Sequence, residues 1–249
     1  MDNIKKKIIH AFVVIFITVL ISTIVVLVIL KYNIEGENNM PFELSKIMLV
    51  SSAEGVEDKE EDSEDKWNLN IHQNNDIYLE IFKNKNYEDV EIIDEIKLDN
   101  FEIIEKPQKG KIVIYRPDSN EGRIYVNDEK NIVNNEIIYM GAEETSIKDL
   151  KIANQGGMIF LRYSLEELGK YISNDDEIRH DGTMLSKIGI KYDEIKCKIK
   201  FDISIKLKSD ITYTGTVELN LPAGDILEEG TSTYQIIDLK DVIFKRNLK

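Results

Sequence analysis

The chain has 249 residues and a formal charge of −14. Residues 1–33 carry Lys5, Lys6, Lys7 and Lys31 against Asp2, a net +3, so the rest carries −17. That excess argues against nucleic-acid partners and against charge-driven adhesion to an anionic surface. A single cysteine, Cys197, excludes an intramolecular disulfide, so core burial must stabilise the fold.

Ile8 to Leu30 (IIHAFVVIFITVLISTIVVLVIL) holds no fixed charge. As a helix it covers roughly 34 Å, enough for a hydrocarbon core of about 30 Å. Thr18, Ser22 and Thr23 can return their hydroxyls to carbonyls one turn back, and His10 lies at the rim. Three lysines precede the run, whereas Glu35 and Glu37 follow soon after Lys31. The positive-inside rule therefore places residues 1–7 in the cytoplasm and the bulk of the chain outside. The run is longer than a secretory h-region and no A-x-A-like site follows, so it reads as an uncleaved signal anchor. Cys197 is too far away for lipid attachment. Membrane lipid, met through Ile8–Leu30, is the expected partner of this segment.

Residues 31–41 read as a polar tether ended by Pro41. The expected extracytoplasmic β domain occupies 42–249. Phe42 to Ser51 has apolar residues at both parities, as in a strand covered on both faces. The acidic stretch 54–65 (EGVEDKEEDSED) lacks the spaced ligands and central glycine of a calcium loop, so it reads as a solvated insertion. Trp67 to Lys83 alternates, with Trp67, Leu69, Ile71, Ile77, Leu79 and Ile81 on one face. Its polar centre, Gln73 to Asp76, fits either a hairpin turn or the bulged middle of one long strand. His72 falls on the opposite, exposed face.

Further strands are expected over Glu91–Glu105, with a break at Asp99-Asn100, and over Lys111–Arg116. Arg123–Val126, Glu136–Met140 and Ile147–Ile152 read as short strands, the last inside a possible sub-boundary at 141–157. Met158–Tyr163 (MIFLRY) is the most apolar strand. Ser164-Leu165-Glu166-Glu167 matches a capping box, with Leu165, Leu168 and Ile172 on one helical face, whereas Gly169 and Tyr171-Ile172 suit a strand. Asp175, Asp176, Glu177, His180 and Asp181 form a second acidic loop without metal-ligand spacing. Met184–Ile190 suits a helical turn.

From Ile195 to Leu207 every odd residue is apolar and every even one polar. Ile211 to Leu221 repeats the scheme. A turn centred on Ser209 pairs 207 with 211, which sets Lys200 opposite Glu218 and Ser204 opposite Thr214. Cys197 then points inward. Leu221–Asp225 (LPAGD) is a turn, and Tyr234–Phe244 a closing strand region.

With His10, His72 and His180 the only histidines, no nucleophile–base pair, phosphate loop or dinucleotide motif appears. The sequence names no catalytic, cofactor or metal residue and no cofactor. Paired carboxylates of a wall-cleaving hydrolase remain the enzymatic alternative. Recurrent short strands and turns predict a mainly β chain: an N-terminal transmembrane helix and an extracytoplasmic β-sandwich-like domain, or two β modules. The MIFLRY strand, the ELNLP segment (Glu218–Pro222) and the terminal FKR (Phe244–Arg246) resemble those of single-pass membrane-anchored β-rich proteins of low-GC Gram-positive bacteria. That resemblance implies envelope location but carries no activity. The expected role is a non-enzymatic envelope binding or structural module meeting a protein or glycan; a subunit of a membrane-bound division or secretion assembly is the alternative.

Overall fold

The computed structural model describes residues 2–58, 66–117, 136–143, 150–175 and 177–247. The expected strand Arg123–Val126, the acids of 59–65, Asp176 and the first half of Ile147–Ile152 lie outside them.

The first element is helix α1 (Asp2–Glu35), which continues the apolar run at both ends. It contains no glycine or proline, and Thr18 and Thr23 donate to the carbonyls of Val14 and Val19 at 2.9 Å. The helix is long and apolar enough to cross a membrane, and none of its most apolar window is buried. It stops at Gly36, whose φ of 73° is the left-handed geometry of a helix C-terminus. Residues 31–35, expected in a tether, are thus helical, and the chain then docks: Glu37 N donates to Phe244 O at 2.8 Å. A Cβ on Gly36 would sit 2.5 Å from that same carbonyl oxygen.

Two sheets follow, each of six strands among the described residues. Sheet A contains β1 (Phe42–Glu57), β2 (Trp67–Lys83), β4 (Lys111–Tyr115), β7 (Gly156–Glu166), β8 (Lys170–Ser173) and β11 (Ser232–Ile236). Its order is β11-β1-β2-β7-β4, with β8 also beside β2. Sheet B contains β3 (Ile93–Glu105), β5 (Ile137–Gly141), β6 (Leu150–Ile152), β9 (Cys197–Leu207), β10 (Thr212–Leu221) and β12 (Lys245–Arg246), in the order β12-β10-β9-β3-β5-β6. The strands of the two sheets interleave along the chain, so residues 141–157 do not divide them. One apolar cluster takes side chains from both, among them Ile77, Leu79 and Leu161 of sheet A and Ile199, Phe201 and Ile203 of sheet B.

The β9–β10 hairpin pairs as its alternation requires. Leu207 N donates to Ile211 O at 2.8 Å, and Asp210 takes the positive φ of the turn, 67°. Ser204 meets Thr214 hydroxyl to hydroxyl at 2.8 Å. Lys200 does lie opposite Glu218, yet its ammonium goes to Glu102 on β3 at 2.6 Å, and Glu218 takes Lys198 at 2.7 Å. Strand β9 lies between two partners, so the ammonium can choose either side. The regular strand starts at Cys197; Ile195 instead closes the short helix α3 (Tyr192–Ile195). Cys197 is buried, and burial pushes its thiol up to about 12, so it packs as an inert hydrophobe.

Trp67–Lys83 is one continuous strand. Its polar centre is not a turn: Asn74 and Asp76 take the outward face, and the other two residues do not. Gln73 and Asn75 face inward with 0% and 1% exposure and lie between the main core and a second apolar cluster. The two amides bond each other at 2.8 and 3.0 Å. Ser51 on β1 donates to Asn75 Oδ1 at 2.7 Å and accepts from Ala223 N at 2.8 Å. The second cluster lies beyond this seam, where Leu69, Ile71 and Leu165 are covered by Met184 and Leu185 of α2 (Thr183–Lys187), Ile195 and Ile226 of α4 (Ile226–Glu229).

The capping-box reading of Ser164–Glu167 fails here, because Leu165 is buried in that cluster and β7 runs through Glu166. The break expected at Asp99-Asn100 is a bulge: the β3–β9 register shifts between Asp99 and Glu102, with Asn100 at φ 52°.

At Phe160, β7 has run past β4, which ends opposite Arg162. The Tyr139 hydroxyl, from sheet B, donates to Phe160 O at 2.6 Å and accepts from Phe160 N at 3.0 Å. Tyr163, by contrast, buries its hydroxyl with no hydrogen-bond partner among the described residues. Tyr163→Phe is therefore expected to hold or raise the unfolding free energy in urea, since it removes an unpaid desolvation cost. A loss above about 1 kcal/mol would show that the hydroxyl is satisfied after all.

Candidate functional site

The outward face of sheet A differs from that of sheet B. On sheet B most of the outward charges pair off: Lys198–Glu218, Lys200–Glu102, Lys206–Asp94 and Lys97–Asp99, each at 2.7 Å or less, while Asp202 accepts from Asn100 and Thr216. On sheet A the antiparallel register instead gathers polar groups of different kinds. One row across the strands reads Val50, Asp76, Arg162, Tyr115; the next reads Ser52, Asn74, Ser164. Beyond them, Glu54 stands opposite His72.

Arg162 is the hub. Its Nε donates to Asp76 Oδ1 at 2.6 Å and its Nη2 to Asp76 Oδ2 at 3.1 Å, a two-pronged pair. Its Nη1 lies 3.9 Å from Glu54 Oε1, on a carboxylate that is half exposed. Ser164 donates to Asn74 Oδ1. Tyr115 donates to Glu166 Oε1, and burial together with that bond raises its hydroxyl above the ordinary phenol range. His72 Nδ1 lies 3.9 Å from the same Glu166 oxygen. His180 Nδ1 accepts from Gly55 N at 3.3 Å.

Two hollows meet at Arg162. The first, about 390 Å³, lies between Ser52, Glu54, Asn74, Asp76 and His180; the second, about 250 Å³, between His72, Tyr115, Ser164 and Glu166. Three acids against one arginine leave the patch negative, so it suits neutral hydrogen-bonding or basic groups and repels polyanions.

His72 lies on the outward face as its parity requires, but it is partly covered beside Glu166 rather than freely exposed. His180 is brought to the rim by the second acidic loop. Among the described residues no three His, Cys, Asp or Glu side chains gather closely enough to hold a metal. Within that loop Asp181 is buried and structural. It accepts from Thr183 N at 2.9 Å and from the Thr183 hydroxyl, and pairs with Arg179 at 2.8 Å. Burial raises its carboxyl, but the Thr183 bonds and Arg179 outweigh it, and the net shift is downward. A carboxylate lowered in the folded state contributes stability above its unfolded value and loses it as pH falls through the folded value. Asp181→Asn should therefore flatten the acid limb of the stability–pH curve; an unchanged slope in urea melts between pH 6 and 3 would remove Asp181 from that account.

Sequence reasoning missed the hub. Arg162 stands in the apolar MIFLRY strand, and its even position was the one available signal. Compared with protein-family models, curated proteins and solved structures, the chain matches none.

Proposed function

We propose that the chain is a single-pass membrane protein whose extracytoplasmic β-sandwich displays the Arg162 face to a protein or glycan of the cell envelope, without catalysis. The N-terminal helix supports the anchor: its apolar window finds no protein to bury against and lysines precede it. The observation that carries the binding role is the contrast between the two sheet faces, one with most of its charges paired off, the other offering unlike polar groups around two hollows. The hydrolase alternative gains nothing from this patch, since Asp76 is held by Arg162 and Glu166 by Tyr115, and of the three acids Glu54 alone is held no closer than 3.9 Å among the described residues.

The test is site-specific photo-crosslinking of the full chain in its own membrane. A crosslinker at Glu54 should give discrete adducts, and one at Lys198 on sheet B should give none. Equal yields from the two faces, or none from Glu54, would overturn the reading. The assembly-subunit alternative draws on the bonded junction of helix and domain, through which contacts of the helix would reach the β-sheets. Exchanging Ile8–Leu30 for an unrelated apolar helix separates the two: a display protein keeps its Glu54 adducts and an assembly subunit loses them.

A further inference from the structure

Helix α1 leaves its apolar run at Leu30 and continues five residues to Glu35. At 1.5 Å per residue that is roughly 7.5 Å, close to the depth of one headgroup layer. The chain then turns at Gly36 and bonds to the domain at once. Glu37 N donates to Phe244 O, and the Tyr32 hydroxyl accepts from Arg246 N at 2.8 Å. No slack separates helix from β-sheets.

Two loops lie at this end. Asn84 begins the first and bonds Pro41 and Met40; Glu91 ends it and accepts from Ser209 in the hairpin turn. The second runs from β11 to Phe244. Each presents one bare aliphatic side chain: Val90 is 79% exposed and Ile237 71%. Outside α1 these are the two most exposed large apolar side chains among the described residues, and Ile34 on the last helical turn is 70% exposed. Elsewhere in the described domain no such group is more than 55% exposed.

We propose that this end of the domain rests on the bilayer that holds the helix, with Val90 and Ile237 inserted among the lipid headgroups. The inference rests on the membrane-anchor reading. The contact is apolar and not ionic: Asp89 and Glu91 flank Val90, and Asp238 after Ile237 is paired with Lys240 at 3.0 Å, so neither loop offers a cationic cluster to an anionic surface. A helix that ends within the headgroup layer supplies the proximity, and apolar insertion supplies the attachment.

The experiment uses the full chain in phosphatidylcholine nanodiscs, spin-labelled at single cysteines in a Cys197→Ala background. The sites are Val90→Cys, Ile237→Cys, Leu20→Cys within the helix and Ile172→Cys. Ile172 pairs with Asn68 at the far end of β2 and is 55% exposed. Collisions with oxygen, which partitions into lipid, are compared with those of a water-soluble nickel chelate. Labels at Val90 and Ile237 should show a several-fold higher oxygen-to-nickel ratio than the label at Ile172. Ratios equal to that of Ile172, while Leu20 reports lipid, overturn this inference alone. An aqueous Leu20 overturns the anchor, and this inference falls with it.

Discussion

Phe201→Ala is expected to lower the unfolding free energy by about 3–5 kcal/mol. Phe201 is fully buried in β9, at the centre of the cluster that joins the sheets. Its ring lies 6.0 Å from that of Phe101, which in turn meets Tyr163 edge-on at 6.3 Å. Truncation removes transfer energy and leaves a void that strands hydrogen-bonded on both sides cannot close. Natural domains hold only about 5–15 kcal/mol, so this one change consumes a large part of the margin. Urea unfolding of the full chain in detergent, followed by the fluorescence of Trp67, the single tryptophan, measures it. A loss below about 1 kcal/mol would mean that the two sheets do not depend on a common core.

The second large effect belongs to the polar seam. Asn75→Ala removes the acceptor of the Ser51 hydroxyl and both bonds that the Gln73 amide makes to Asn75, leaving Gln73 Nε2 only its bond to Asn74 O at 3.1 Å. Each buried group left unsatisfied costs about 1–3 kcal/mol, so the single substitution is expected to cost several kcal/mol. Replacing both amides by leucine removes the demand of Gln73 along with its supply and leaves the Ser51 hydroxyl as the group that loses its acceptor. Gln73→Leu with Asn75→Leu should therefore lie nearer the parent than Asn75→Ala does, a non-additivity visible in the same urea melts. If the double variant is worse than the single one, the amides stabilise by more than satisfying each other.

The seam also shows why some of the fold was legible in the residues and some was not. Strands β9 and β10 announce themselves, because strict alternation leaves one register that keeps both faces intact. Strand β2 alternates just as well at its ends, but Gln73 and Asn75 sit where the pattern demands apolar side chains. Their bonds to each other, and those of Asn75 with Ser51 and Tyr163 O, both distant in sequence, make that placement tolerable. The Ser164–Glu167 motif failed for a similar reason: a local helix signal lost to the burial of Leu165 in a sheet. Helices α3 and α4, four residues each, are too short to show a period. The Arg162 patch draws on β1, β2, β4 and β7, between Glu54 and Glu166, and no spacing along the chain marks which outward residues the register makes neighbours.

Tyr139 has a consequence for how this chain behaves among copies of itself. An open strand flank would invite pairing by whatever extended segment arrives first. At Phe160 a single phenol occupies both the donor and the acceptor that a stranger would need. Exchanging it for phenylalanine would keep the ring and remove both bonds, taking one guard from that stretch of backbone.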